Sequence, residues 1–190
     1  MSWADASSVA ANAETELVNP ALEFATAQPV GVAPGLEHLA GAAVGLVDNG
    51  KWNAALLLRA VRSLLIGQFD ASEGPVAVKQ HYNRDLSDAE RSDLANNAHV
   101  ALAAIGDCGS CTSYTVRDAL VLESLHVPTV ALVTEPFLPL ARGLATTMGA
   151  PQIRIVAVSH PLYGIAEEEV AERAADAVAE VAAALMEQRT

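Results

Sequence analysis

Aromatic and basic side chains are scarce in this chain of 190 residues. Aromatic residues make up 4% of it, and 11 Lys and Arg residues are outnumbered by 23 Asp and Glu residues, which gives a net charge of −12. Because nucleic acids are bound through clustered Lys and Arg side chains, this balance argues against a nucleic-acid partner. The shortage of aromatic residues argues against a ligand site built from stacked rings and predicts a core of Ala, Val and Leu.

Long apolar runs are missing as well. No stretch reaches the roughly 18 apolar residues that a membrane-spanning helix needs. Residues 1–20 carry acids where a signal peptide would carry positive charge and an apolar segment. We therefore expect a cytoplasmic protein with no membrane partner, folded as one ordinary domain.

Cysteine occurs only at Cys108 and Cys111, within the segment IGDCGSCTSYTVRDA (residues 105–119). A reducing compartment argues against a structural disulfide, and a bridge between these positions would close too short a loop to stabilise much. A zinc site would need two more ligands, and the chain offers neither another cysteine nor a pair of suitably spaced histidines. We therefore expect no metal. Three interpretations stay open: a redox pair, a nucleophile with a second thiol beside it, or two inert buried cysteines.

After residue 40, strand-like and helix-like segments alternate along the chain. Short apolar runs that end in turn residues predict strands at 42–50, 74–83, 100–109, 127–136 and 152–161. Helical periodicity and capping patterns, such as the capping-box spacing of Ser87 and Glu90, predict helices at 53–69, 87–99, 110–126, 136–149 and 167–189.

This alternation predicts an α/β fold: a single open parallel sheet of five strands with helices on both faces. We expect the flavodoxin-like strand order 2-1-3-4-5. Residues 1–40 show no sustained period and are expected to form an extended N-terminal arm, so that the α/β domain spans residues 41–190.

In a sheet of this order, ligands bind beyond the carboxyl ends of the strands. Each predicted strand is apolar until its end, where polar and titratable residues follow, and five such ends converge on one edge. The predicted catalytic residues are Cys108, Cys111 and His160, and the predicted substrate-binding residues are Asp48, Asn49, Lys51, Asp107, Ser110, Thr112, Thr134 and Glu135. The alternative for each polar residue is an ordinary turn or helix cap, and for His160 a hydrogen bond to the backbone.

The two cysteines fall at a predicted turn from strand to helix. Gly109 is expected to permit the tight turn, and Cys111 to lie in the first turn of the helix. The amide groups and the positive dipole end of a helix N-terminus favour a thiolate, whereas the neighbouring Asp107 opposes it. The C-x-x-C spacing allows one thiol to attack and the other to resolve a mixed disulfide.

Four segments in order, VGLVDNGKWNA, GDCGSCTSYTVRDALVLE, VPTVALVTEPFLPLAR and VSHPLYG, resemble the UGSC family. This group of small bacterial proteins is named for a U-G-S-C motif whose first position is selenocysteine or cysteine. Cys108-Gly109-Ser110-Cys111 occupies the motif as a cysteine version, and the resemblance covers residues 42–185. A more distant similarity is to the selenocysteine-bearing subunit of glycine and betaine reductases. The resemblance implies that Cys108 is the catalytic position and Cys111 a resolving or assisting thiol, and it implies no particular substrate.

Three functions follow as alternatives. The first is thiol-dependent redox chemistry or reductive cleavage of a small molecule, in which both cysteines take part. The second is covalent catalysis by Cys108 without redox change, as in a lyase, hydratase or isomerase, with His160 or Glu135 moving protons. The third is a non-catalytic or site-sharing subunit of a heteromeric complex, and in each case we expect a homo-oligomer or a heteromer with a related subunit.

Nucleotide cofactors are not expected. The segment VDNGKWNA follows the first predicted strand, where a G-x-G-x-x-G, a Walker A or a Ser/Thr-rich phosphate loop would stand. The sequence therefore predicts neither NAD, ATP nor flavin.

Overall fold

A five-stranded, all-parallel sheet forms the centre of the protein. The computed structural model describes residues 30–188. The strands are β1 (Ala43–Asp48), β2 (Ser72–Val78), β3 (Val100–Gly106), β4 (Thr129–Thr134) and β5 (Arg154–Val158). They lie in the order β2-β1-β3-β4-β5, so the predicted topology is confirmed.

Helices cover both faces of the sheet. They are α1 (Ala54–Phe69), α2 (Asp88–Asn97), α3 (Gly109–Ser124), α4 (Leu138–Thr147) and α5 (Glu167–Met186), with a 3-10 turn at Glu135–Phe137 before α4. One apolar cluster joins α1 and α5 to one face of the sheet, and a second joins α2, α3 and α4 to the other. The central strands β3 and β4 are buried along their whole length, which explains their unbroken apolar sequences.

The helix boundaries follow the capping patterns in the sequence. Ser87 caps α2 in a capping box, because its hydroxyl accepts from the Glu90 amide while the Glu90 carboxylate accepts from the Ser87 amide. Gly149, predicted to end α4, adopts a φ of 79° just after it, where a side chain would be strained. The capping residues thus begin and end these helices where the fold requires it.

Strand β2 is shorter than predicted. The sequence placed it at 74–83, but its pairing with β1 ends at Val78, followed by one further bond from the Lys79 amide to the Asp48 carbonyl. Its partner β1 ends at Asp48 in a turn, so the chain beyond Lys79 has no strand to pair with. His81 therefore lies in the loop between β2 and α2.

A buried ion pair closes the amino edge of the sheet. The Arg154 Nη1 atom lies 2.6 Å from Glu123 Oε1, and both side chains are fully buried. Arg154 also donates to the carbonyls of Ala33, Ala184 and Glu187, and Glu123 accepts from the amides of Ala33 and Thr129. The start of β4, the start of β5 and the ends of α3 and α5 are thus held to one polar centre.

Part of the predicted N-terminal arm packs on this same domain. Beyond Ala33, Leu36 donates its amide to the Leu185 carbonyl, and Leu39 is buried in the core. Residues 1–29, which carry the rest of the predicted arm, lie outside the described residues. Within 30–188, no helix is long and apolar enough to cross a membrane.

Candidate active site

The cysteine pair lies where β3 passes into α3, at the carboxyl edge of the sheet. Cys108 is the N-cap of α3, and its Sγ accepts a hydrogen bond from the Cys111 amide at 3.3 Å. The two sulfurs are joined in a disulfide, with the Cα atoms 5.5 Å apart. Cys108 is half-buried, whereas Cys111 is only 1% exposed. The bridge links a helix cap to the first turn of the same helix, so it ties no distant segments together.

A different glycine from the predicted one permits this close turn. At Gly106 a Cβ atom would lie 2.7 Å from Val133 Cγ1 and 2.9 Å from Thr112 Oγ1, so only glycine lets α3 start this close to the sheet. A Cβ at Gly109 would meet nothing within 4 Å. The expectation that Gly109 makes the turn possible is therefore wrong, because Gly109 is simply the first residue of the helix.

Residues from three neighbouring strand ends meet beside Cys108. Asp107 follows β3, Thr134 ends β4 and His160 follows β5. The Asp107 Oδ1 atom accepts from Thr134 Oγ1 at 2.7 Å and lies 2.9 Å from His160 Nδ1. Since a carboxylate only accepts, the proton of a neutral His160 ring sits on Nδ1, and Nε2 is left as a base. The sequence placed these three residues at one edge but did not indicate this pairing.

The loop that carries His160 is held at several points. The Arg173 guanidinium on α5 donates to the carbonyls of Ser159 and Pro161. Asn53 Nδ2, at the start of α1, donates to the Leu162 and Ile165 carbonyls at 2.8 and 3.1 Å. The Tyr163 amide donates to Asp107 Oδ2. Hydrogen bonds therefore join the loop after β5 both to the loop after β1 and to Asp107, which follows β3.

A small cavity opens between these loops. It has a volume of about 210 Å³ and is lined by Lys51, Trp52, Ile105, Asp107, Cys108, Cys111 and Tyr163. The rings of Trp52 and Tyr163 are 6.0 Å apart between centroids, and the two side chains are 62% and 69% exposed. The cavity thus has a sulfur at one side and two solvent-facing rings at its rim.

The few aromatic residues are concentrated at this edge. Of the six in the described part of the chain, only Phe69 lies elsewhere; the other five are Trp52, Tyr82, Tyr114, Phe137 and Tyr163. The Phe137 ring lies 6.2 Å from that of His160, between centroids. Composition did not predict this cluster, because a percentage carries no position; the loop segments NGKWN and HPLYG could have indicated it.

Several predicted substrate-binding residues have partners within the protein. Asn49 is buried, and its Nδ2 donates to the Ile105 carbonyl at 2.9 Å. Thr112 is buried and donates to the Cys108 carbonyl at 2.6 Å. Asp48 accepts from the Gly50 amide and lines a separate cavity between α1 and β2. Asn49 and Asp48 thus hold the turn after β1, and Thr112 holds the first turn of α3.

Two other predicted residues are exposed. Ser110 Oγ lies 3.7 Å from Cys108 Sγ, so its hydroxyl is beside the sulfur. Glu135 begins the 3-10 turn after β4, and its side chain makes no hydrogen bond or ion pair within residues 30–188. The structure brings Lys51, Asp107, Ser110, Thr134 and His160 to the edge that holds the cysteines. Glu135 follows Thr134 there but is not among the residues that line the cavity.

A buried ion pair connects α3 to the chain that follows β2. Lys79 Nζ, just after β2, lies 2.6 Å from Asp118 Oδ2, and both side chains are almost fully buried. Burial raises the pKa of Asp118 to about 6, although the nearby ammonium group of Lys79 lowers it. This pair joins the residue that follows β2 to the helix that carries both cysteines, and no sequence pattern indicates it.

No three His, Cys, Asp or Glu side chains between residues 30 and 188 are grouped so that they could hold a metal ion. The site is built instead from a cysteine pair at a helix N-terminus and a His–Asp pair beside it. The fold and the site together define an open parallel α/β protein with a C-x-x-C pair at the carboxyl edge of its sheet.

Within that class, the chain belongs to the UGSC family, whose profile matches residues 16–187. The match includes the Cys108-Gly109-Ser110-Cys111 motif and confirms the resemblance seen in the sequence. Comparison with curated proteins returned no match. The more distant similarity to the selenocysteine-bearing reductase subunit stays a prediction.

Proposed function

We propose that this protein is a cysteine-dependent enzyme that acts on a small molecule by thiol redox chemistry. Cys108 is the attacking thiolate and Cys111 the resolving thiol. The observation that carries the proposal is the position of Cys108: its sulfur caps α3, accepts the Cys111 amide and borders the cavity. A hydrogen bond from an amide and the N-terminus of a helix both favour the thiolate form.

This chemistry can break two kinds of substrate bond. If the substrate contains an oxidised sulfur, the Cys108 thiolate forms a mixed disulfide and displaces a thiolate. If it contains a carbon with a leaving group, Cys108 forms a C–S bond and the leaving group departs with its electron pair. In either case Cys111 then attacks Cys108 Sγ, and the electron pair of the broken bond goes to the substrate fragment, which takes a proton.

The products of this cycle are a reduced substrate and a Cys108–Cys111 disulfide, and a dithiol reductant returns the enzyme to its thiol form. The two Cα atoms are 5.5 Å apart, a separation at which two cysteines can form a disulfide. We place this cycle in the cytoplasm, where thiol reductants are abundant.

The His160–Asp107 pair favours a second candidate function. With Nδ1 bonded to Asp107, the Nε2 atom of His160 faces away from the carboxylate as a base or, when protonated, as an acid. Covalent catalysis without redox change would use Cys108 as the nucleophile and His160 as the proton carrier. Cys111 would then assist only by position.

Substrate trapping separates these functions. Reduced wild-type protein, Cys111→Ser and Cys108→Ser are incubated with a small-molecule extract of cells that make the protein, and the cysteine peptides are analysed by mass spectrometry. We expect Cys111→Ser to retain an added mass on Cys108, wild type to return as the disulfide without added mass, and Cys108→Ser to remain unchanged.

Two other outcomes have defined meanings. An adduct on Cys108 in both wild type and Cys111→Ser, with Cys111 of the wild type still a free thiol, would contradict the redox proposal and support covalent catalysis. No adduct and no disulfide in any protein would contradict both, and would favour a non-catalytic or site-sharing subunit of a heteromeric complex.

A further inference from the structure

The two lysines of this sequence, Lys51 and Lys79, both lie at the carboxyl edge of the sheet. Lys79 is buried against Asp118, so its charge is already compensated. Lys51 follows β1 and lines the cavity that contains Cys108. The chain has a net charge of −12, so a lysine that lines this cavity gives it a positive side chain in an otherwise acidic protein.

Lys51 has no acidic partner in the described part of the chain. Its Nζ lies 3.8 Å from the centroid of the Tyr82 ring, and it belongs to none of the ion pairs formed within residues 30–188. A cation–π contact orients an ammonium group but satisfies none of its three hydrogen-bond donors. Lys51 thus lines the cavity, and its ammonium group keeps its donors available to a ligand.

Among residues 30–188, the one carboxylate that lines the cavity already accepts hydrogen bonds from other groups. Asp107 accepts from Thr134, from His160 and from the Tyr163 amide. On the other side, the first-turn amides of α3, at Gly109 and Ser110, have no acceptor within the helix. The hydrogen-bond donors that remain available to a ligand, on Lys51 and on these two amides, therefore favour an acceptor with negative charge.

The size and rim of the cavity limit the ligand further. A volume of about 210 Å³ is below the roughly 300–1,000 Å³ of pockets that hold drug-sized ligands, so the cavity suits a smaller molecule. The rings of Trp52 and Tyr163 reach this rim from the loops after β1 and β5, and offer an apolar surface to the part of the ligand that carries no charge.

We propose that the substrate is a small organic carboxylate, with its carboxylate bound by Lys51, its uncharged part against Trp52 and Tyr163, and its electrophilic atom at Cys108 Sγ. This assignment rests on the proposed role of Cys108 as the attacking thiolate. Lys51 acts here as a binding residue that selects the charge of the substrate.

Two alkylating reagents of nearly equal size test the assignment. Iodoacetate carries a carboxylate and iodoacetamide is its neutral counterpart; each forms an S–C bond with a thiolate and releases iodide. The rate constants are measured on the reduced Cys111→Ser variant, in which Cys108 is the single thiol. Their ratio cancels the thiolate fraction of Cys108, so an effect of Lys51 on thiol ionisation does not enter it.

We expect Lys51→Met, in the Cys111→Ser background, to lower the iodoacetate-to-iodoacetamide ratio about fivefold at low ionic strength, as for loss of one nearby charge. Lys51→Arg should keep the ratio within about twofold. Arg142→Gln is the matched control, because it removes one exposed positive charge from α4, away from the cavity lining. It should leave the ratio unchanged.

An unchanged ratio in Lys51→Met would overturn the carboxylate assignment and leave the role of Cys108 intact, provided that Cys108 still reacts faster with iodoacetamide than free glutathione does. If Cys108 reacts no faster than glutathione, the proposed function itself fails. A drop of equal size in Arg142→Gln would show that only net charge matters and would also overturn the assignment.

Discussion

Reduced Cys111→Ser should react with iodoacetamide at least about 100 times faster than reduced Cys108→Ser. Each variant keeps a single thiol, so the two rates report on the two positions separately. Cys108 is half-buried at a helix N-terminus beside an open cavity, whereas Cys111 is 1% exposed. Alkylation of Cys111 requires local opening of α3, and an opening cost of about 2.8 kcal/mol already corresponds to a 100-fold difference.

The same experiment in strong denaturant is its control. Once α3 is unfolded, neither burial nor the helix N-terminus distinguishes the two thiols, so the two rates should agree within about twofold. Equal rates in the folded proteins, or a faster reaction of Cys108→Ser, would show that Cys111 is the exposed reactive thiol. That result would reverse the roles assigned to the two cysteines.

Arg154→Met should lower the free energy of unfolding by about 3–5 kcal/mol. The substitution leaves the carboxylate of Glu123 buried without its counter-ion and removes the donors that bind the Ala33, Ala184 and Glu187 carbonyls. This loss is a large part of the 5–15 kcal/mol that stabilises an ordinary domain. Urea denaturation followed by circular dichroism measures it, and failure of the variant to fold would agree with the expected size.

Arg117→Gln is the matched control for this prediction. Arg117 pairs with Asp85 at 2.9 Å, but the two side chains are 47% and 54% exposed. An exposed pair of this kind contributes less than about 1 kcal/mol. If Arg154→Met costs no more than Arg117→Gln, the buried pair is not what holds the amino edge of the sheet together.

The topology could be predicted because it depends on information that is local in sequence. Apolar runs that end in turn residues marked each strand, and the capping box at Ser87 marked the start of α2. The end of β2 was misplaced for a non-local reason: the strand stops where its partner β1 stops, at Asp48. The pattern within residues 74–83 contains no information about that partner.

The sequence predicted which edge of the sheet carries the site residues, but not the hydrogen bonds between their side chains. Strand order places Asp107, Thr134 and His160 close together, because they lie at or just after the ends of the neighbouring strands β3, β4 and β5. The hydrogen bonds among them depend on side-chain directions that the order does not determine. The Trp52–Tyr163 contact arises in the same way, from two loops that Asn53 joins across 109 residues of chain.

The most direct test of the central claim uses methyl methanethiosulfonate, a small electrophile that transfers a methylthio group to a thiolate and releases methanesulfinate. Reduced wild-type protein treated with one equivalent should release methanethiol and return as the Cys108–Cys111 disulfide, without added mass. Cys111→Ser should instead hold the methylthio group on Cys108. A stable methylthio group on Cys108 of the wild-type protein, with Cys111 still a free thiol, would contradict the assignment of Cys111 as the resolving thiol.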